Sequence, residues 1–167
     1  VKQGSLQLLK VGMLDGEVYD KALEGARFIL YKAVTGDASK DCVERNIVVT
    51  DNTNKKGVNP TGPAGKCTWD DLDSGSYWLV EIAPDPNSAA GNDRYDNPKY
   101  TYDSTPRAVS IAPGQKVVFN NADAKNPNHR VENITTYGRL RIRKVDANKE
   151  SLGLKATFKV YLDKECT

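Results

Sequence analysis

The feature that most narrows the fold is a short alternating run that occurs twice. "GSLQLLKVG" begins at Gly4 and "GRLRIRKVD" begins at Gly138. Successive side chains of an extended strand point to opposite faces. Leu6, Leu8 and Lys10 therefore share a face in the first copy. Leu140, Ile142 and Lys144 share one in the second, with Arg139, Arg141 and Arg143 opposite. Each copy is followed by a second apolar run, "GARFILYKA" (Gly25–Ala33) and "KATFKVYLD" (Lys155–Asp163). The pattern restarts only after more than a hundred residues, and the second unit holds two strands' worth of sequence before Thr167. A piece of roughly thirty residues is too small to hold a core unaided. The expected organisation is one complete domain over 1–137 and the incomplete start of a second over 138–167, within a longer repeat protein.

The rest of the chain reads as short strands: Ser5–Val11, Arg27–Ala33, Asn46–Thr50, Lys66–Trp69, Ser76–Ile82, Arg107–Ile111, Lys116–Asn120 and His129–Ile134. They are rich in Val, Ile, Leu, Tyr and Phe and are separated by Gly, Pro, Asn and Asp clusters. No segment keeps a helical period over three turns. Short strands divided by turn signals predict an all-β sandwich.

Two of these strands end an apolar face in a charge. Lys10 follows Leu6 and Leu8, and in "WDDLDSGSYWLVEIAP" Glu81 follows Tyr77 and Leu79. A lone case of this kind is a long side chain at a strand end reaching for water. A lysine and a glutamate at equivalent positions predict instead that the two meet inside, although a buried ion pair is by itself a poor source of stability.

The order of "GSLQLLKV", "LEGARFILYKA" and "LDSGSYWLVEIAP" (Leu72, Gly75, Tyr77, Leu79, Glu81, Ala83, Pro84), with a restart of the first, resembles the collagen-adhesin B-type domain of Gram-positive surface adhesins and pilins. The likeness runs from Gly4 to about Asn133, and its first two strands recur over Gly138–Tyr161. It implies a seven-stranded immunoglobulin-like sandwich of reversed topology. It also implies a self-formed isopeptide bond, in which a first-strand lysine joins a last-strand asparagine or aspartate with help from an acid. The lysine position falls on Lys10 and the acid on Glu81. Lys144 is the equivalent lysine of the second unit, with no partner in this chain.

The chemistry needs these residue types. Burial lowers the pKa of a lysine, and only a neutral amine attacks an amide carbon. Burial keeps a glutamate protonated, so that it polarises the carbonyl and then shuttles protons as ammonia leaves. The fold supplies proximity. Two asparagines compete as partner. Asn133 ends the alternation of His129, Val131 and Asn133 and lies just before the restart at Gly138, which favours it. Asn121 ends that of Val117, Phe119 and Asn121 in a hairpin through Pro113–Gly114.

Such domains are exported, which frames the three cysteines. Cys42 and Cys67 flank a long loop and are expected to form a disulfide worth about 3 kcal/mol by the chain-entropy estimate, the alternative being two buried thiols. Cys166 follows Tyr161 much as Cys42 follows Tyr31, so its partner is expected past Thr167.

Other functions find little support. Charged residues make up 28 % and hydrophobic ones 38 %, and the net charge is +2 with both signs interspersed, so no basic face suggests nucleic acid. No apolar run is long enough to span a membrane. The aspartates of "WDDLDSG" read as a surface turn, "DNTNKKG" lacks calcium-loop spacing, and one histidine supports neither a zinc site nor a triad, so neither metal nor cofactor is expected. The expectation is a non-enzymatic stalk module with one self-crosslinking turnover, at the cell wall or surface of a Gram-positive bacterium. Its partners would be neighbouring domains or subunits of the same surface protein or pilus. The alternative is an adhesin domain that presents its long Asn/Asp-rich loops to a host matrix protein or glycan.

Overall fold

The computed structural model describes residues 2–14, 16–91, 100–119 and 131–134, then 142, 144–146, 149–153 and 156–160. β1 (Gly4–Leu14) is the spine of the first sheet. Its first half pairs antiparallel with β5 (Lys66–Leu72), and its last residues pair antiparallel with β2 (Glu17–Asp20). Along its other edge, β8 (Lys116–Phe119) and then β9 (Val131–Ile134) run parallel to it. The second sheet is antiparallel, in the order β4 (Val58–Pro60), β3 (Arg27–Lys32), β6 (Gly75–Ile82), β7 (Arg107–Ile111).

The period-2 alternation explains why the sheets face each other. β1 presents Leu6 and Leu8 and β5 presents Cys67 and Trp69, against Phe28 and Leu30 of β3, Tyr77 and Leu79 of β6, and Val109 and Ile111 of β7. All are buried, each large apolar side chain contributing about 1.5–3 kcal/mol. Asn59 ties the edge of one sheet to the other, its buried amide donating to the Thr68 carbonyl at 2.6 Å.

Outside the second sheet the chain makes one helical turn, α1 (Ala38–Asp41), capped by Asp37, whose carboxylate accepts from the Ser39 N–H. Asp41 is fully buried there. It accepts from the backbone N–H groups of Thr35 and Gly36, the Thr35 hydroxyl and the Trp78 indole. Burial opposes its ionisation, but these donors outweigh burial and hold the carboxyl down at about 2. This carboxylate is saturated and serves to fasten the Thr35–Cys42 segment onto Trp78.

The all-β expectation holds, with corrections. Asn46–Thr50 is not a strand. A 3-10 turn at Glu44–Asn46 is closed by the Ile47 N–H on the Glu44 carbonyl, and Ile47 touches β3 only as an isolated bridge to Tyr31. β2 and β4 were not expected as strands. Beyond Gly138, β10 (Val145–Asp146) pairs antiparallel with β11 (Lys149–Gly153). Ala156–Val160, expected as a strand, forms none, and Phe158 and Val160 are exposed. Phe28 and Leu30, in the run that this stretch resembles in sequence, are buried because β3 lies between β4 and β6, whereas no described segment pairs with Ala156–Val160.

Candidate functional site

Lys10 lies where one edge of β1 changes partner. β5 ends its pairing with Lys66 opposite Leu9, and β2 begins with Asp20 opposite Gly12. Non-strand residues fill the gap. The Lys10 N–H donates to the Gly65 carbonyl at 2.7 Å, and the Lys10 carbonyl accepts from the Leu23 N–H at 3.0 Å. Gly65 has φ +67, and a Cβ there would stand 2.9 Å from the Lys10 oxygen, so glycine is required. On the opposite edge the parallel register sets Val131 beside Lys10 and Asn133 beside Gly12. Asn133 therefore has the parity of Lys10, two positions along the neighbouring strand.

From this pinned backbone the Lys10 side chain crosses the sandwich. Its Nζ donates to Glu81 Oε2 on β6 at 2.9 Å. Lys10 is 0 % exposed and Glu81 4 %. The Phe28 ring, opposite Glu81 in the β3–β6 register, has its centroid 5.7 Å from Nζ. Burial pushes the amine down from 10.5 to about 8. The Glu81 charge and hydrogen bond resist, the Arg107 charge pushes further down, and Asp103 pulls weakly up. A pKa near 8 leaves on the order of a tenth of the amine neutral at pH 7. A dry pocket thus holds an amine and a carboxyl within proton-transfer distance, beside the strand that carries Asn133.

The other predicted residues are placed as follows. Cys42 and Cys67 are both free thiols in the structure, so the expected disulfide does not appear there. Cys67 points into the core from β5, opposite Leu8 in register. Cys42 caps α1 beyond the outer face of the other sheet. The second sheet separates them, so they cannot reach bonding distance. Burial raises both thiols, that of Cys67 far above the usual range, with Glu81 adding to the effect and Lys10 opposing it. Lys144 is exposed. Asn121 and Cys166 lie outside the described residues. The "WDDLDSG" stretch, expected as a surface turn, is strand β5 as far as Leu72; in it Asp70 accepts from the Asn52 amide, and the Asp73 carbonyl after it accepts from the Tyr77 hydroxyl. Among the described residues, no group of three His, Cys, Asp or Glu side chains is arranged to hold a metal, and no helix is long and apolar enough to cross a membrane.

Two contributors had no signal in the alternation: Gly65 and Tyr100. Tyr100 is fully buried although Thr101–Thr105 after it are exposed or nearly so.

No family profile and no curated protein matches the chain. Among solved structures, a minor pilin of the Gram-positive pathogen Streptococcus agalactiae is similar with a TM-score of 0.54 and 20 % identity, covering 86 % of this chain and 49 % of that one. The pilus adhesin of Streptococcus pneumoniae gives 0.48 and 22 %, covering 83 % and 16 %. The major pilin subunit of Bacillus cereus gives 0.46 and 19 %, covering 79 % and 29 %. The chain spans about half the length of the first of these. That first likeness carries the fold: an immunoglobulin-like β-sandwich of the kind found in pilins.

Proposed function

We propose that this chain is a stalk module of a Gram-positive surface adhesin or pilus, stiffened by an isopeptide bond between Lys10 and Asn133. The observation that carries this is the buried Lys10–Glu81 pair beside β9. Within the pair the proton passes from Nζ to the carboxylate, leaving a neutral amine and a carboxylic acid. Nζ attacks Cγ of Asn133 while the acid donates a hydrogen bond to the amide oxygen. Glu81 then delivers its proton to the departing amide nitrogen and takes one from the attacking nitrogen, ending as it began, a carboxylic acid. The Nζ–Cγ bond forms, the Cγ–Nδ2 bond breaks, and ammonia leaves. The product replaces a buried ion pair with a neutral amide. This is a single turnover on the chain itself, so the module is not an enzyme acting on other molecules.

The geometry suits a load-bearing part. β1 and β9 are parallel neighbours. A pull on the start of β1 and the end of β9 shears one along the other, and a covalent link between them keeps the chain from Lys10 to Asn133 from being drawn out. The location implied is the extracellular face of the cell wall, and the partners are adjoining domains or subunits. Stretching single molecules between handles at residues 4 and 137 tests the function. The wild type should give no unfolding length for the linked segment, and Lys10→Ala should give one; equal extension in both would refute the stalk reading.

A ligand-binding module is the second reading. It is favoured by a groove on the outer face of the second sheet, where Ile29, Ile47, Val49 and Val58 are rimmed by Glu44 and Lys55. Binding to an array of host glycans and matrix proteins, lost on Val49→Asp, would support it.

A further inference from the structure

The segment between β6 and β7 runs over the surface for most of its described length, yet it sends one aromatic side chain into the core. Tyr100 is 0 % exposed, while Thr101 to Thr105 are exposed. Its ring lies against Gly12. A Cβ built on Gly12 would stand 2.6 Å from each of Tyr100 Cε1, Cζ and Oη. Gly12 shares the inward parity of Lys10 on β1 and is the register partner of Asn133. Glycine at this position is therefore the space into which the phenol ring fits, at the junction of β1 and β9.

We propose that Tyr100 is a positioning residue for the crosslink, a plug that closes the Lys10–Glu81 pocket to water at the β1–β9 junction. The inference rests on the isopeptide proposal above and names the device that keeps its site dry. The core cluster that includes Leu8, Cys67, Phe28 and Leu79 also includes Tyr100, so the ring packs in the same core into which the Lys10 side chain reaches. The charges acting on Lys10 come from three elements: Glu81 on β6, Arg107 on β7, and Asp103 three residues after the plug. Among the described residues the Cys67 thiol on β5 is a further titratable neighbour, and Tyr100 brings a phenol hydroxyl of its own. Tyr100→Ala removes none of the other groups, and Tyr100→Phe removes the hydroxyl alone, so the two variants together separate the ring's role as a plug from the hydroxyl's own interactions. Water admitted beside Nζ stabilises the ammonium form, and less of the amine is then free to attack.

The test starts from chain kept unreacted in denaturant and refolded at pH 6 to 10, with loss of ammonia followed by intact mass. In the wild type the rate should rise with pH and level off near 8. Tyr100→Ala should move that inflection upward and slow the reaction at pH 7 at least about ten-fold, and by about three-hundred-fold if the lysine returned fully to 10.5. Tyr100→Phe keeps the ring and folds, and it should stay within about three-fold of wild type. Gly12→Ala should displace the ring and reproduce the slowing, and adding it to Tyr100→Ala should cost little more.

A second readout does not need the crosslink. In an Asn121→Ala/Asn133→Ala background, acetic anhydride should label Lys10 at least about ten-fold faster once Tyr100 is Ala. Unchanged labelling together with an unchanged inflection would overturn the plug, as would a Tyr100→Phe variant as slow as Tyr100→Ala. A wild type that never loses ammonia, but whose Lys10 is opened to labelling by Tyr100→Ala, would sink the crosslink and leave the plug standing.

Discussion

The carbonyl of Gly65 accepts the backbone N–H of Lys10 at 2.7 Å, in a gap that neither β5 nor β2 covers. The chain turns there at φ +67, with Ala22 Cα, Leu23 N and Lys10 O so close that a Cβ would stand 2.7 to 2.9 Å from them. The buried lysine is thus aimed by backbone, from a residue fifty-five positions away in sequence (65 − 10).

Gly65→Ala should therefore lower stability by more than an ordinary surface change. The left-handed backbone alone costs about 1–2 kcal/mol for a residue with a Cβ, before any clash. Urea unfolding should show a lower midpoint with an unchanged slope. A midpoint equal to wild type would mean that the gap beside Lys10 is not held by this contact.

An unreacted lysine should make stability depend on alkaline pH. The Lys10 amine is held at about 8 in the folded chain against 10.5 in the ordinary case, burial being the main cause. Between those values the unfolded chain binds more protons than the folded one, so the stability to unfolding rises with pH. The penalty is present in full below 8 and is relieved as pH climbs to about 10.5. For the unreacted Asn121→Ala/Asn133→Ala variant the gain relative to wild type should be roughly 3 kcal/mol across that window. A wild type crosslinked as proposed has no such amine and should lack the slope. Parallel pH dependences in both proteins would contradict the placement of the lysine.

The thiols should behave as two unlike free groups. Without reductant, iodoacetamide should modify Cys42 in the native protein and reach Cys67 only after unfolding, because Cys67 is buried and its thiol is pushed far up. A Cys42–Cys67 peptide in a non-reduced digest would reinstate the bridge.

What the sequence shows of this fold follows from parity. Leu6, Leu8, Lys10, Tyr77, Leu79 and Glu81 are legible because each strand buries one face, and a charge closing an apolar face is conspicuous. That Lys10 and Glu81 come within 2.9 Å is a fact of sheet packing, which parity cannot supply; only the chemistry of an amine beside an acid suggests it. The entry into β2 is marked in the sequence by the dipeptide Asp-Gly, which favours a tight turn, and Leu14 pairs with Glu17. Ile47 to Val49 have strand-like composition, but the turn at Glu44–Asn46 takes their backbone out of register. The cysteines misled because flanking a loop says nothing about which face of a sheet each residue occupies. Tyr100 was invisible, being one aromatic in the polar stretch "KYTYD" with no period to mark it inward.

The partner of Lys10 should be Asn133. The register of β9 puts it at the parity of the lysine, beside Gly12. Asn133→Ala should abolish the crosslink, and Asn121→Ala should leave it intact. A protease digest should yield one branched peptide joining Lys10 to the segment that contains Asn133. A branch ending at Asn121 would move the bond to the other candidate.

The measurement that tests the central claim most directly is the intact mass of the purified wild-type protein. It should be lighter than the sequence by one molecule of ammonia, with no further loss of hydrogen from a disulfide. Lys10→Ala and Glu81→Ala should each carry their full calculated mass, the first for want of the amine and the second for want of the acid. A wild-type mass equal to that of the sequence would contradict the account and leave Lys10 and Glu81 as an ordinary buried ion pair.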